Sequence, residues 1–175
     1  EPKLVGNFFI KNVATGKYLN GGSNLLNDLE DKQAWDITNL KSDGLSRIAT
    51  TISETTYNVE PYYNTNSRKY YFRAQTNASS TDEANNCYFY EIVDGTQDPI
   101  LAAKVNAPTV GKQYFIVGHV NSEYTVISNT SYTSSQGSKD TRLEGVTVTL
   151  NGEGKISISK ASAAGYIYLM ESTEP

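Results

Sequence analysis

Residues 8–19 read Phe8-Phe9-Ile10-Lys11-Asn12-Val13-Ala14-Thr15-Gly16-Lys17-Tyr18-Leu19, and the fold turns on this stretch. The aromatic and β-branched run Phe8–Val13 favours a strand. A small-residue turn ending in Gly16 follows, where positive φ costs nothing, and Lys17–Asn20 resumes the extended pattern. Working outward, short aromatic and β-branched segments recur at Trp35–Asn39, Arg47–Ile52, Tyr57–Tyr62, Tyr70–Gln75, Tyr88–Val93, Ile100–Val105, Gln113–Val120, Tyr124–Ser128, Gly145–Leu150, Lys155–Ser159 and Tyr166–Glu171. Asn20-Gly21-Gly22, Asp43-Gly44, Asp94-Gly95 and Asn151-Gly152 are predicted turns. No window of helical length carries an apolar stripe at i, i+3, i+4, i+7, so helix is confined to single turns, one of them a capping box at Ser80-x-x-Glu83. The pattern is that of an all-β domain.

Three stretches share a form, a small or polar turn leading into an aromatic strand: residues 29–37, 82–92 and 161–170. Trp35, Tyr90 and Tyr168 hold equivalent places in them. The first unit carries more. Residues 8–19 resemble the opening of a ricin-B-type (R-type lectin) repeat, and Gln33-Ala34-Trp35 resembles that family's Gln-x-Trp signature. The resemblance implies a single β-trefoil domain over residues 1–175, with units near 7–44, 45–98 and 99–175. It implies that Gln33 satisfies backbone groups in a turn, while Trp35, Tyr90 and Tyr168 pack around a pseudo-threefold axis. It also implies a sugar pocket beside the segment Lys17-Tyr18-Leu19, where Asn20 stands in place of the family's carboxylate. Asn27 and Asp28 are the nearest polar partners in sequence.

Composition narrows the function. A chain of 175 residues is one domain at roughly 100–200 residues each. The net charge of −4 and the dispersed basic residues point away from nucleic acid. A lone cysteine makes neither an internal disulfide nor a cysteine zinc site. No apolar run approaches the ~18 residues that cross a membrane, so no membrane insertion is expected. Thirteen tyrosines, one methionine and only 19% charged residues suggest an extracellular or cell-surface protein. The opening Glu1-Pro2-Lys3 reads as a mature protein or an excised domain whose targeting segment is not seen.

No catalytic motif is present, neither G-x-S-x-G nor H-E-x-x-H, and no phosphate-cradling glycine loop. Catalytic residues and cofactors are therefore not expected. His119 ends an apolar strand and reads as a structural or rim residue; Cys87 reads as a small buried hydrophobe. Asp28, Glu30 and Asp31 lack the spacing of a calcium loop and read as a solvated turn, so no metal is expected. Tyr62-Tyr63 and Tyr70-Tyr71 flank the polar run Asn64–Arg68. Strand alternation leaves one ring of each pair near the surface, where it can pack on the C–H face of a sugar. Tyr62 and Tyr63 are thus stacking candidates independent of Asn20, Asn27 and Asp28. The expected function is a noncatalytic carbohydrate-binding module whose partner is a glycan or polysaccharide. The alternative is a protein-interaction domain, a protease inhibitor or adhesin, acting through the loops Thr76–Asn86 or Asn129–Thr141.

Overall fold

The computed structural model describes residues 1–133 and 141–173. Among the described residues fourteen strands run in chain order as β1 Lys3–Asn12, β2 Tyr18–Gly22, β3 Leu25–Leu29, β4 Ala34–Asn39, β5 Ser46–Ile52, β6 Thr55–Asn64, β7 Lys69–Gln75, β8 Tyr88–Asp94, β9 Ile100–Lys104, β10 Gln113–Val120, β11 Glu123–Thr133, β12 Thr141–Val148, β13 Ile156–Ile158 and β14 Tyr166–Glu171. Among the described residues the helical content is the single 3-10 turn Glu83–Asn85. The predicted capping box there does not form. Asp82 is the cap residue, Ser80 donates to the Asn85 side chain, and the Glu83 carboxylate turns to Tyr88 and His119.

The all-β expectation holds, but the β-trefoil expectation does not. The antiparallel ladder closes through nine strands, β14-β1-β4-β5-β6-β7-β12-β11-β10 and back to β14. A trefoil would instead close six strands and leave three separate hairpin caps. The cause is hairpin length. Strands β6, β7, β11 and β12 are long enough for two hairpins to meet side by side, pairing Phe72 with Leu143 and Tyr71 with Glu144. Strands β5 and β8, which would complete a shorter circuit, do not pair among the described residues beyond an isolated bridge from Ser46 to Cys87, the residue before β8. The pair β2–β3 hangs from β1, and β8–β9–β13 forms a side sheet on β10.

The expected equivalence of Trp35, Tyr90 and Tyr168 fails with the trefoil. Trp35 is fully buried in the larger core cluster with Phe8, Ile10, Phe72 and Phe89. Tyr90 belongs to a second cluster with Phe115, Val117, Val126 and Ile156. On β14 it is Ile167 and Leu169 that face inward, because alternation puts Tyr168 on the outer side. There Tyr168 pairs with Lys11 across the ladder, and its phenol, followed by that of Tyr18, raises the Lys11 amine above its ordinary value.

Turn chemistry also departs in one place. Asn20-Gly21-Gly22 lies within β2, and the hairpin turns at Ser23-Asn24, both at positive φ. Gly21 is needed for another reason. A Cβ there would stand 2.7 Å from the Leu25 carbonyl oxygen and 3.3 Å from the Trp35 ring. Strand and indole approach too closely for any side chain.

Candidate functional site

The β2–β3 hairpin does bring Asn20 and Asn27 together as a directly opposed pair. They border a shallow groove of about 290 Å³ with Gly21, Leu29, Ile52 and Tyr57. Its polar groups are largely committed to the chain itself. Asn20 donates its amide to the carbonyls of Tyr18 (3.1 Å) and Asp31 (2.7 Å). Gln33 clamps Gly21, accepting its N–H at 2.9 Å and donating to its carbonyl at 2.8 Å, so it satisfies backbone groups of strand β2 rather than of a turn. The Trp35 indole N–H donates to the Leu19 carbonyl at 2.9 Å. Asp28 alternates away from Asn27 and accepts the Thr15 hydroxyl at 2.6 Å. Burial pushes the Asp28 carboxyl upward, only partly countered by that hydrogen bond.

Tyr62 and Tyr63 belong to a different surface and do not line the groove. Both are half-buried on β6, across from Tyr71 and Tyr70. The Tyr63 and Tyr70 rings lie 4.6 Å apart, and the Arg73 guanidinium covers the Tyr62 ring at 3.8 Å. Tyr132 extends this array by stacking on Tyr71 at 4.9 Å. The sequence places Tyr132 in the expected loop Asn129–Thr141. In the structure residues 129–133 continue β11, Thr141 begins β12, and residues 134–140 lie outside those described.

The loop Thr76–Asn86 is tied down from beneath by Glu60, which is 2% exposed. One Glu60 oxygen accepts Arg73 Nε and Nη2 at 3.1 and 3.0 Å; the other accepts the Asn77 and Asn85 amides at 2.7 and 3.2 Å. A buried carboxylate with this many donors is satisfied in place.

A third surface escaped the sequence reading. Strands β8, β9 and β11 and the segment before β13 enclose a cavity of about 310 Å³. Tyr88, Tyr90 and Tyr124 form its aromatic wall; Lys104, Glu153 and Lys155 bring charge. The wall is held from behind. Tyr88 donates its hydroxyl to Glu83 at 2.6 Å, and the other Glu83 oxygen bonds His119 Nδ1 at 2.8 Å. The imidazole stacks on Tyr124 at 3.9 Å with planes 4° apart. His119 is thus a rim residue with a positioning task. Burial pushes the Tyr90 phenol up to about 12, with Tyr124 and Glu83 adding to it. Burial, then Glu83, raises Tyr88 and Tyr124 as well. At neutral pH all three rings keep their protons and act as donors. The sequence reading gives Tyr90 a structural part only. No local signal marks its neighbours, because residues 88, 104, 124 and 155 are far apart in sequence.

Cys87 is buried, as a small hydrophobe would be, and burial drives its thiol well above the usual range. Among the described residues no three His, Cys, Asp or Glu side chains converge as metal ligands. No helix among them is long and apolar enough to cross a membrane. The sequence matches no protein-family model, and no curated protein is significantly similar to it.

Proposed function

We propose that this chain is a noncatalytic carbohydrate-binding module of an exported or cell-surface protein, serving as one part of a larger polypeptide. The observation that carries the reading is the tyrosine-walled cavity at Tyr88, Tyr90 and Tyr124. Sugar rings present C–H faces and hydroxyls together, so a site for them needs aromatic surface beside hydrogen-bonding groups. This cavity has both, with the Tyr88 and Tyr124 rings held before any ligand arrives by Glu83 and His119. Such preorganisation lowers the ordering cost of binding. The resemblance of residues 8–35 to R-type lectins points to the same ligand class, though at the β2–β3 groove.

A glycan array read with the wild-type chain, Tyr124→Ala and Asn27→Ala tests the reading. Binding that disappears with Tyr124→Ala and survives Asn27→Ala supports the cavity. Loss with Asn27→Ala alone would return the site to the groove, and an empty array would overturn the proposal.

One observation favours a second reading, a protein-interaction domain such as a protease inhibitor or adhesin. The Thr76–Asn86 loop is anchored at Asn77 and Asn85 by buried Glu60, and an inhibitor loop must be held rigid. Protease inhibition by the chain, abolished by substitutions at exposed Ser79 and Thr81 and accompanied by no glycan signal, would establish it.

A further inference from the structure

We infer that Asn151 is a site of spontaneous covalent modification, where the side-chain amide passes through a cyclic imide with Gly152 to an aspartyl or isoaspartyl carboxylate. This holds independently of the carbohydrate-binding reading. The sequence contains two Asn-Gly steps, Asn20-Gly21 and Asn151-Gly152. Glycine matters because its backbone nitrogen must reach the asparagine Cγ, and it carries no Cβ to block the approach. The fold treats the two steps in opposite ways.

At Asn20 the reacting groups are engaged. The Gly21 N–H donates to Gln33 Oε1 at 2.9 Å, and the Asn20 amide nitrogen donates to the carbonyls of Tyr18 and Asp31. Both residues lie within strand β2, which holds the backbone extended. At Asn151 the same groups are open. Residues 151–154 are exposed in the turn between β12 and β13. Among the described residues, neither the Gly152 N–H nor the Asn151 amide nitrogen donates a hydrogen bond.

Of the Asn151 side chain only Oδ1 is engaged. It accepts the backbone N–H of Glu153 at 2.8 Å and that of Lys155 at 3.0 Å. The first of these bonds makes an Asx turn, which folds the side chain back along the Gly152 peptide. Oδ1 is also the atom that gathers negative charge when a nitrogen adds to Cγ. Two N–H donors are therefore already aimed at the developing oxyanion.

Water is the only co-reactant. The Gly152 nitrogen gives its proton to solvent and bonds to Cγ. The Cγ–Nδ2 bond then breaks, and the amide nitrogen takes a proton from water and leaves as ammonia. Water next adds to one carbonyl of the imide. Breaking the new bond between Cγ and the Gly152 nitrogen yields aspartate; breaking the original peptide bond yields isoaspartate. Either product puts a new carboxylate in the turn beside Glu153, Gly154 and Lys155, which line the tyrosine-walled cavity.

Peptide mass mapping of the full chain, fresh and after ageing in warm, mildly alkaline buffer, tests this. Trypsin releases residues 143–155, whose only asparagine is Asn151, and residues 18–32, where fragmentation locates any change at Asn20. In the folded chain, conversion at Asn151 is expected to run tenfold or more ahead of conversion at Asn20. In guanidinium the two rates should converge, through a rise at Asn20. Gly152→Ala, whose Cβ would meet nothing within 4 Å, should slow conversion at Asn151 severalfold. Conversion at Asn151 no faster than at Asn20 in the folded chain would overturn the inference. So would a rate at Asn151 that rises in guanidinium as much as that at Asn20, or one unchanged in Gly152→Ala.

Discussion

The β2–β3 groove and the tyrosine-walled cavity are both concave, both of similar volume, and both lined by polar and aromatic side chains. They differ in what their polar groups are already doing. In the groove, Gln33 is spent on Gly21, and the Asn20 amide on the carbonyls of Tyr18 and Asp31. In the cavity, Tyr88 is spent on Glu83, but that bond fixes the ring at a wall that Tyr90, Lys104 and Tyr124 also line. The first set of residues holds a hairpin to the core; the second holds aromatic rings at a cavity wall. A residue type that suits sugar binding is therefore not enough, because turns and hairpins recruit the same amides and hydroxyls.

If the hairpin side is structural, its residues should cost stability when removed. Trp35→Ala deletes a fully buried indole and should lower unfolding free energy by about 3–5 kcal/mol in a denaturant titration. A loss under about 1 kcal/mol would break the contrast, because surface sites behave that way. Gln33→Ala leaves the Gly21 N–H and carbonyl to find water and should cost about 1–3 kcal/mol by the same measurement. On the cavity side, Tyr90→Phe removes one hydroxyl and no ring. It should change stability by no more than about 1.5 kcal/mol while weakening glycan binding.

Alkaline titration sharpens the comparison further. The Tyr90 phenol is raised from 10.0 to about 12 in the folded chain. The folded state then holds its proton more tightly than the unfolded state does. Stability contributed by that proton is complete below about pH 10 and is lost as pH rises toward about 12. Phenolate absorbance should show the cavity tyrosines ionising late, together with unfolding. Early ionisation of all thirteen tyrosines would mean that the cavity wall is wet. The smallest effect is local. Ser53 and Glu54 both turn at positive φ between β5 and β6, and replacing them by Asn-Gly should add about 0.5–1 kcal/mol.

Much of the fold was legible because strand signals are local. Alternation in Val146–Val148 and Ile156–Ile158, and the aromatic run Tyr88–Tyr90, marked real strands. The segment Leu25–Leu29 was missed because it holds no β-branched or aromatic residue, and its pairing with β2 makes it a strand. The circuit was illegible for a different reason. It depends on Phe72 meeting Leu143, a pairing between residues far apart in sequence that no local pattern encodes. The same holds for the sites. Asn20, Asn27 and Asp28 lie close together in sequence, whereas the cavity gathers Tyr88, Lys104, Tyr124 and Lys155 from four separate stretches.

The most direct test of the central claim is a chemical-shift map of the full chain during titration with whichever glycan binds best. Shifts concentrated at Tyr90, Lys104, Tyr124 and Lys155, with Asn20, Asn27 and Tyr63 unmoved, are the predicted result. Shifts concentrated at Asn20 and Asn27, with the cavity silent, would contradict it.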